Sequence, residues 1–472
     1  MAGPFSTATL KSEVEENNQF DAIKEILVMR NCSRAFPSSF LLMIVILMGS
    51  LSGLLLSGST ALASSYLPEL ALPSCLSSAV PPRCYTPQQM RTAYALQPLL
   101  DAGITGKGRT IVIVGHNPSP SLQHDLHLFD QQFGLGDPTL NVFEPFGPMP
   151  TSAQTSLEAT ADVETAHAFA PGATLDLVLV DTSQATTSQD FMTAFLQGMQ
   201  YAVDHNLGDV ISLSVGSGAE PCLSTSFIET EHHLFQEAQA RHMTVLAASG
   251  DVGAAAFCFP SRSLARGVLF PASDPLVTAV GGTTLDAAVG TGIYRSETAW
   301  NEPGSSGGKS TSGGGFSTVF PRPAYQHGVA DGSAFRGVPD VALDADFFTG
   351  MLGVVTINGT TTLTSGGGTS VGAPEWAGLI ALADQLAGHR LGFINPALYR
   401  IGQSRVYHAA FHDITTGNNT YTSTSANGQT TTIQGYQAGP GWDAVTGLGT
   451  PQAAHLVPLL ARTARPSDGN NL

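Results

Sequence analysis

Through the middle of the chain, short runs that are apolar throughout alternate with longer stretches in which apolar and polar residues mix at helical spacing. Thr110-Ile-Val-Ile-Val-Gly115 carries no charge and stops at glycine, the pattern of a strand covered on both faces. Thr174–Val180, Val210–Val215 and Thr244–Ser249 repeat it, and Ala153–Ala170, Asp190–His205 and Thr225–Arg241 between them predict helices. Strands separated by helices imply right-handed crossovers and a mostly parallel sheet with helices on both faces, an α/β fold in three layers. Sites in such sheets form at the carboxyl ends of the strands. Farther along, Ser365-Gly-Gly-Gly-Thr-Ser-Val-Gly-Ala-Pro-Glu-Trp376 runs into Ala377-Gly-Leu-Ile-Ala-Leu-Ala383, a glycine turn feeding an apolar helix with Ser370 at its start. The Gly- and Ser-rich stretch 281–315 reads as a flexible loop, or as a rest for an extended peptide backbone. Residues 408–451 read as loop-rich.

The N-terminal region has a different texture. Phe40–Leu56 is apolar, follows Arg30 and Arg34, and leads to Ala61-Leu62-Ala63, which describes a signal peptide cut after Ala63 and a secreted product. Met29 as the true start would leave an ordinary n-region ahead of the apolar segment. Retained instead of cut, the 40–56 segment would be a single-pass membrane anchor of barely spanning length. The expected divisions are residues 1–63 as extension and signal or anchor, 64–84 as a Pro- and Ser-rich linker, 85–464 as the main domain and 465–472 as a tail. With 472 residues, 42% of them hydrophobic and 12% charged, the chain can bury a large core. A net charge of −17 speaks against nucleic acid or an anionic membrane surface as partner. Of five cysteines, Cys75 with Cys84 and Cys222 with Cys258 would form two disulfides in an exported chain, the other reading being four buried thiols; Cys32 is left over.

Candidate chemistry begins at Ser370. The start of a helix presents unpaired N–H groups and the positive end of its dipole, which favour the charge that develops on a serine nucleophile and its oxyanion; the plain alternative is a helix cap. On the helix predicted over 153–170, Ala159, Val163, Ala166 and Ala170 make an apolar stripe, with Glu158 and Asp162 four residues apart beside it. Two like charges at the rim of a core push at least one carboxyl pKa upward, as a general base for a serine hydroxyl requires, whereas two solvated acids would do nothing. His167, on the same helix, reads as a packed histidine. Asp251 follows a strand in Ala-Ser-Gly-Asp251-Val-Gly253, where it is either a turn residue or, when protonated, a hydrogen-bond donor to an oxyanion.

Glu158-x-x-x-Asp162, Ser-Gly-Asp251 and Gly-Thr-Ser370-x-x-x-Pro374 occur in this order, and together they resemble the sedolisin (serine-carboxyl) peptidases, relatives of subtilisin in fold. The likeness runs over roughly Tyr85 to Ala461 and includes Pro271-Ala-Ser-Asp-Pro, Val280-Gly-Gly-Thr and Val338-Pro-Asp340-Val. The histidine segment that subtilisin itself needs is absent. The resemblance implies a subtilisin-like αβα fold, with Ser370 as nucleophile, Glu158 as base, Asp162 as the acid orienting it and Asp251 as oxyanion donor. It further implies one structural Ca2+ held by the side chains of Asp413 and Asp443 and the carbonyls of Ile414, Gly439 and Gly441, in keeping with the preference of Ca2+ for oxygen. Two positions depart from the family pattern: Val215 stands where Trp is common, and His116 where an acid is usual. The expected function is a secreted serine-carboxyl endopeptidase acting on peptide or protein substrates in acid through an acyl-enzyme. A catalytically inactive binding protein on the same scaffold is the alternative. The family's large pro-domain has no room between Ala63 and Tyr85, so the expectation is a separately encoded one, or folding without it.

Overall fold

The computed structural model describes residues 70–463 apart from 117, 150–156, 216–217, 262, 303–309, 330–332 and 425–427. The signal or anchor segment, the expected tail and the first residues of the 153–170 helix lie outside the described residues. Eight strands form the central sheet: β1 (Thr110–His116), β2 (Leu140–Phe143), β3 (Thr174–Val180), β4 (Val210–Leu213), β5 (Thr244–Ala248), β6 (Thr278–Ala287), β7 (Tyr294–Ala299) and β8 (Val341–Asp344). Their order is β8-β6-β5-β4-β1-β3-β2, parallel throughout, with β7 added antiparallel to β6.

The helices that matter here are α1 (Leu122–Phe133), α2 (Leu157–Phe169), α3 (Ser188–Asp204), α4 (Thr225–Ala240), α5 (Thr369–Ala387) and α6 (Ala453–Thr463). Because side chains alternate across a strand, β1 feeds two cores. Ile111 and Ile113 pack with α1, α2, α5 and α6 through residues such as Phe129, Val163, Phe169, Ile380 and Leu456. Val112 and Val114 face α3 and α4 through Met192, Phe195, Ile228 and Phe235. The unbroken apolar run at 110–115 follows from this double covering, and the three expected layers are present. Helix α3 starts at Ser188, ahead of the expected Asp190, because Thr187 and Asp190 form a reciprocal capping box.

In stretch 281–315 the described residues, 281–302 and 310–315, differ from both readings. Its first part is the buried interior of β6, followed by β7. A Cβ on Gly282 would stand 2.7 Å from Ala345 Cβ and 2.9 Å from Trp300 Cε3, and one on Gly313 would stand 2.1 Å from Ser249 O. These glycines serve close backbone approach inside the molecule, and Gly313 and Gly314 are buried. Both disulfides are formed, Cys75–Cys84 and Cys222–Cys258. The first buries its two cysteines against the core, so the end of the expected linker, residues 74–84, is tied down.

Candidate active site

Helices α2 and α5 lie side by side with their N-terminal ends together. Gly378 permits this, since a Cβ there would stand 2.6 Å from Phe169 Cβ. At the N-terminal end of the pair, the Ser370 hydroxyl stands close enough to Glu158 to pull its pKa down. Ser370 is the second residue of α5, whose N-cap is Gly368 at φ 95°, so its hydroxyl is not spent on capping.

Asp251 reaches the site from the loop after β5. Its Oδ1 accepts from Thr369 N and Thr369 Oγ1, each at 2.8 Å, and Gly250 N donates to Thr369 Oγ1 at 3.0 Å. A Cβ on Gly368 would stand 2.8 Å from Asp251 Oδ2, so a glycine is needed there for the approach as well as for its positive φ.

Pro374 has no N–H to give the carbonyl four residues back, which is that of Ser370. Ser214, just past the end of β4, takes that place: its Oγ lies 3.0 Å from Ser370 O and 2.9 Å from Asp162 Oδ1. One hydroxyl proton cannot serve two acceptors. The chain of bonds closes when Asp162 is protonated and donates to Ser214 Oγ, which donates to Ser370 O. Burial pushes the Asp162 carboxyl well above its ordinary range, and the neighbouring Glu158 adds to this. Burial likewise pushes Glu158 up to about 7, against the pull of the Ser370 hydroxyl and with help from Asp251. Burial raises Asp251 too, opposed by the two bonds from Thr369.

All four residues singled out in the sequence therefore stand together, Asp162 buried and Glu158, Asp251 and Ser370 partly open. Sequence reasoning missed Ser214 and Thr369. His167 is packed, as expected: it is fully buried and 3.0 Å from Asp130 Oδ1. Neither departure from the family pattern adds a polar group behind Glu158. The His116 ring meets Phe191 and Phe195 edge-on at 5.7 and 5.5 Å, and Val215 is buried among apolar side chains.

Away from this site, Asp413 and Asp443 converge on one glycine-rich loop. Gly441 N donates to both oxygens of Asp413 at 3.0 and 3.2 Å; Gly439 N donates to Asp443 Oδ2 at 3.0 Å. Burial pushes Asp443 up to about 6. Among the described residues neither carboxylate has a Lys, Arg or His ion partner. Two acids without a counter-charge, Asp443 buried and Asp413 half-buried, fit a hard, oxygen-seeking cation. Among the described residues no three His, Cys, Asp or Glu side chains group for a metal, so main-chain oxygens would complete the set.

The sequence profile of the subtilase family matches residues 153–435. Kumamolisin of Bacillus sp. (strain MN-32) is 34% identical over 408 residues, covering 82% of this chain and 66% of that protein. Sedolisin of Pseudomonas sp. (strain 101) is 31% identical over 380 residues, covering 79% and 60%. The solved structure of Pseudomonas sedolisin, a serine-carboxyl proteinase complexed with two molecules of pseudo-iodotyrostatin, superposes with a TM-score of 0.68 at 29% identity, over 79% of this chain and 96% of that one. The chain belongs to the subtilase family, on its sedolisin branch. It spans less than two thirds of the length of the curated relatives it matches.

Proposed function

We propose that the chain is a secreted serine-carboxyl endopeptidase that cleaves peptide or protein substrates in acid. The observation that carries this reading is the convergence of Ser370 with Glu158, Asp162 and Asp251 where two buried helices begin. Ser370 Oγ attacks the substrate carbonyl while the Glu158 carboxylate takes its proton. The resulting oxyanion is met by protonated Asp251 and by the Ser370 N–H at the start of α5. Glu158 then returns the proton to the departing amine, leaving an acyl ester on Ser370. A water, deprotonated by Glu158, attacks that ester and restores the hydroxyl. Asp162, tied to α5 through Ser214, orients Glu158.

The need for a proton on Asp251 favours acidic pH. Asp413 and Asp443, with the carbonyls of Ile414, Gly439 and Gly441, would hold one Ca2+. That ion would supply a structural cross-link and take no part in hydrolysis. Two disulfides support export. Among the described residues no helix is long and apolar enough to cross a membrane.

Peptide hydrolysis measured from about pH 3 to 8, spanning the carboxyl range, tests the assignment on the parent, Ser370→Ala and Glu158→Gln. The parent is expected to cleave in acid and Ser370→Ala to lose about 10⁴-fold or more. Equal rates in all three would reject it. A folded parent without hydrolysis at any pH would favour the binding protein, which His116 and Val215 motivate.

A further inference from the structure

The glycine loop ahead of Ser370 rests on a turn held by two carboxyl groups. Gly368 N donates to Ala345 O at 2.7 Å, and a Cβ on Gly367 would stand 2.6 Å from the Phe347 ring. The chain at 345–349 is thus the floor of the loop. Asp346 shapes that floor: its Oδ1 accepts from Phe348 N at 2.9 Å and its Oδ2 from Thr284 Oγ1 at 2.7 Å. Glu302 holds it from the side, Oε1 accepting from Phe347 N at 3.1 Å and from the indole Nε1 of Trp300 at 2.9 Å. The two carboxyls thus sit on the adjacent amides of Phe347 and Phe348, and two buried acids this close without a cation are relieved of their repulsion by one proton between them. Both residues are buried, at 9% and 7% exposure.

We infer that Glu302 and Asp346 are a proton-sharing pair that positions the nucleophile loop, and that loss of the shared proton drives the two carboxylates apart and carries the loop away from its productive place. The inference rests on Ser370 being the nucleophile; neither acid touches substrate. Burial and Asp346 push Glu302 up to about 7, so the proton is held in acid and released as pH rises through neutrality. The charged groups around the pair are acidic: Asp344 stands behind Asp346, with Glu297 beyond it. Among the described residues no cation pairs with either acid. Lys309 lies outside the described residues.

Glu302→Gln tests this, because its amide oxygen can accept from Trp300 and Phe347 while its NH2 donates to Asp346, fixing the protonated arrangement at every pH. In acid it is expected to match the parent within about twofold, and the ratio of its kcat to the parent's is expected to rise as pH passes 7. A rising ratio reads this pair whatever other group limits the parent. Glu302→Ala, which removes the acceptor, is expected to lose on the order of 10²-fold in kcat at all pH values, as misplaced catalytic groups do. Trp300 gives a readout free of catalysis: in Ser370→Ala, tryptophan emission should show a step near pH 7 that the added Glu302→Gln abolishes.

A flat kcat ratio, an acid-range loss in Glu302→Gln equal to that of Glu302→Ala, or no emission step would each overturn the pair. Should Glu302→Gln fail to fold, Asp346→Asn in the same emission titration must shift or remove the step, and an unmoved step overturns the pair. Undiminished hydrolysis by Ser370→Ala would instead remove the nucleophile assignment, while the emission step would still report on the pair.

Discussion

Proline inside a helix removes a hydrogen bond and crowds the preceding turn, a cost of about 3 kcal/mol or more, yet Pro374 sits near the start of α5. The gap it leaves is where Ser214 connects Asp162 to the backbone of Ser370. Replacing Ser214 with Ala should leave one buried acceptor and one buried carboxyl unmet, costing about 1–3 kcal/mol. Denaturant unfolding should register that loss. Peptide hydrolysis should fall mainly in kcat, and Ser214→Thr, which keeps the hydroxyl, should recover most of both. A drop in stability with unchanged kcat would mean that Ser214 only packs. Ser370, Glu158, Asp162 and Asp251 were legible in the sequence because the chemistry demands particular side chains in a fixed order. Ser214 and Thr369 were not, because a hydroxyl at a strand end or helix start has many ordinary uses, and only distances separate them.

Among the elements, α5 and the strands were readable because full burial leaves an unmistakable apolar run. The described parts of the glycine-rich stretch 281–315 were misread since glycine signals both freedom and close approach, and the neighbours that decide, Ser249 for Gly313 and Ala345 for Gly282, are far away in sequence. The loop carrying Asp413, Gly439, Gly441 and Asp443 presents the same ambiguity, because Gly-Pro-Gly-Trp-Asp443 alone is only a turn. Its two carboxylates each accept from backbone amides of the loop and lack a cationic neighbour among the described residues, so a bound cation should stabilise the fold by mass action. At about a hundredfold excess over Kd that amounts to roughly 2.7 kcal/mol, or about 3 °C in Tm for a domain of this size. Differential scanning calorimetry with and without a chelator, followed by re-addition of Ca2+ or Mg2+, checks this. No change in Tm on chelation, or equal recovery with Mg2+, would count against a calcium site.

For the molecule as a whole, the buried acids outnumber the charges available to neutralise them. Burial pushes Asp384 up to about 8 and Glu158 and Glu302 to about 7, and it drives Asp162, Glu164, Asp344 and Glu375 well upward. Both oxygens of Glu375 and one of Asp344 have no hydrogen-bond partner among the described residues, as suits groups that stay neutral. The sign follows from proton linkage. A carboxyl whose pKa is raised on folding keeps a proton that the unfolded chain gives up above about pH 4. Its stabilising effect is complete below that point and fades as pH climbs through the folded value. Exposed Asp181 and Asp190 are shifted the other way, but solvent screens them and they oppose the trend only weakly. Stability should therefore be greatest near pH 4–5 and fall towards pH 8, each group that holds its proton contributing about 1.4 kcal/mol per pH unit to the slope. Urea midpoints of Ser370→Ala, used to prevent self-digestion, measured at intervals over this range provide the check. A midpoint that rises or stays level between pH 5 and 8 would mean that these acids are ionised inside the fold. The protein would then have to hold compensating charge that the described residues lack.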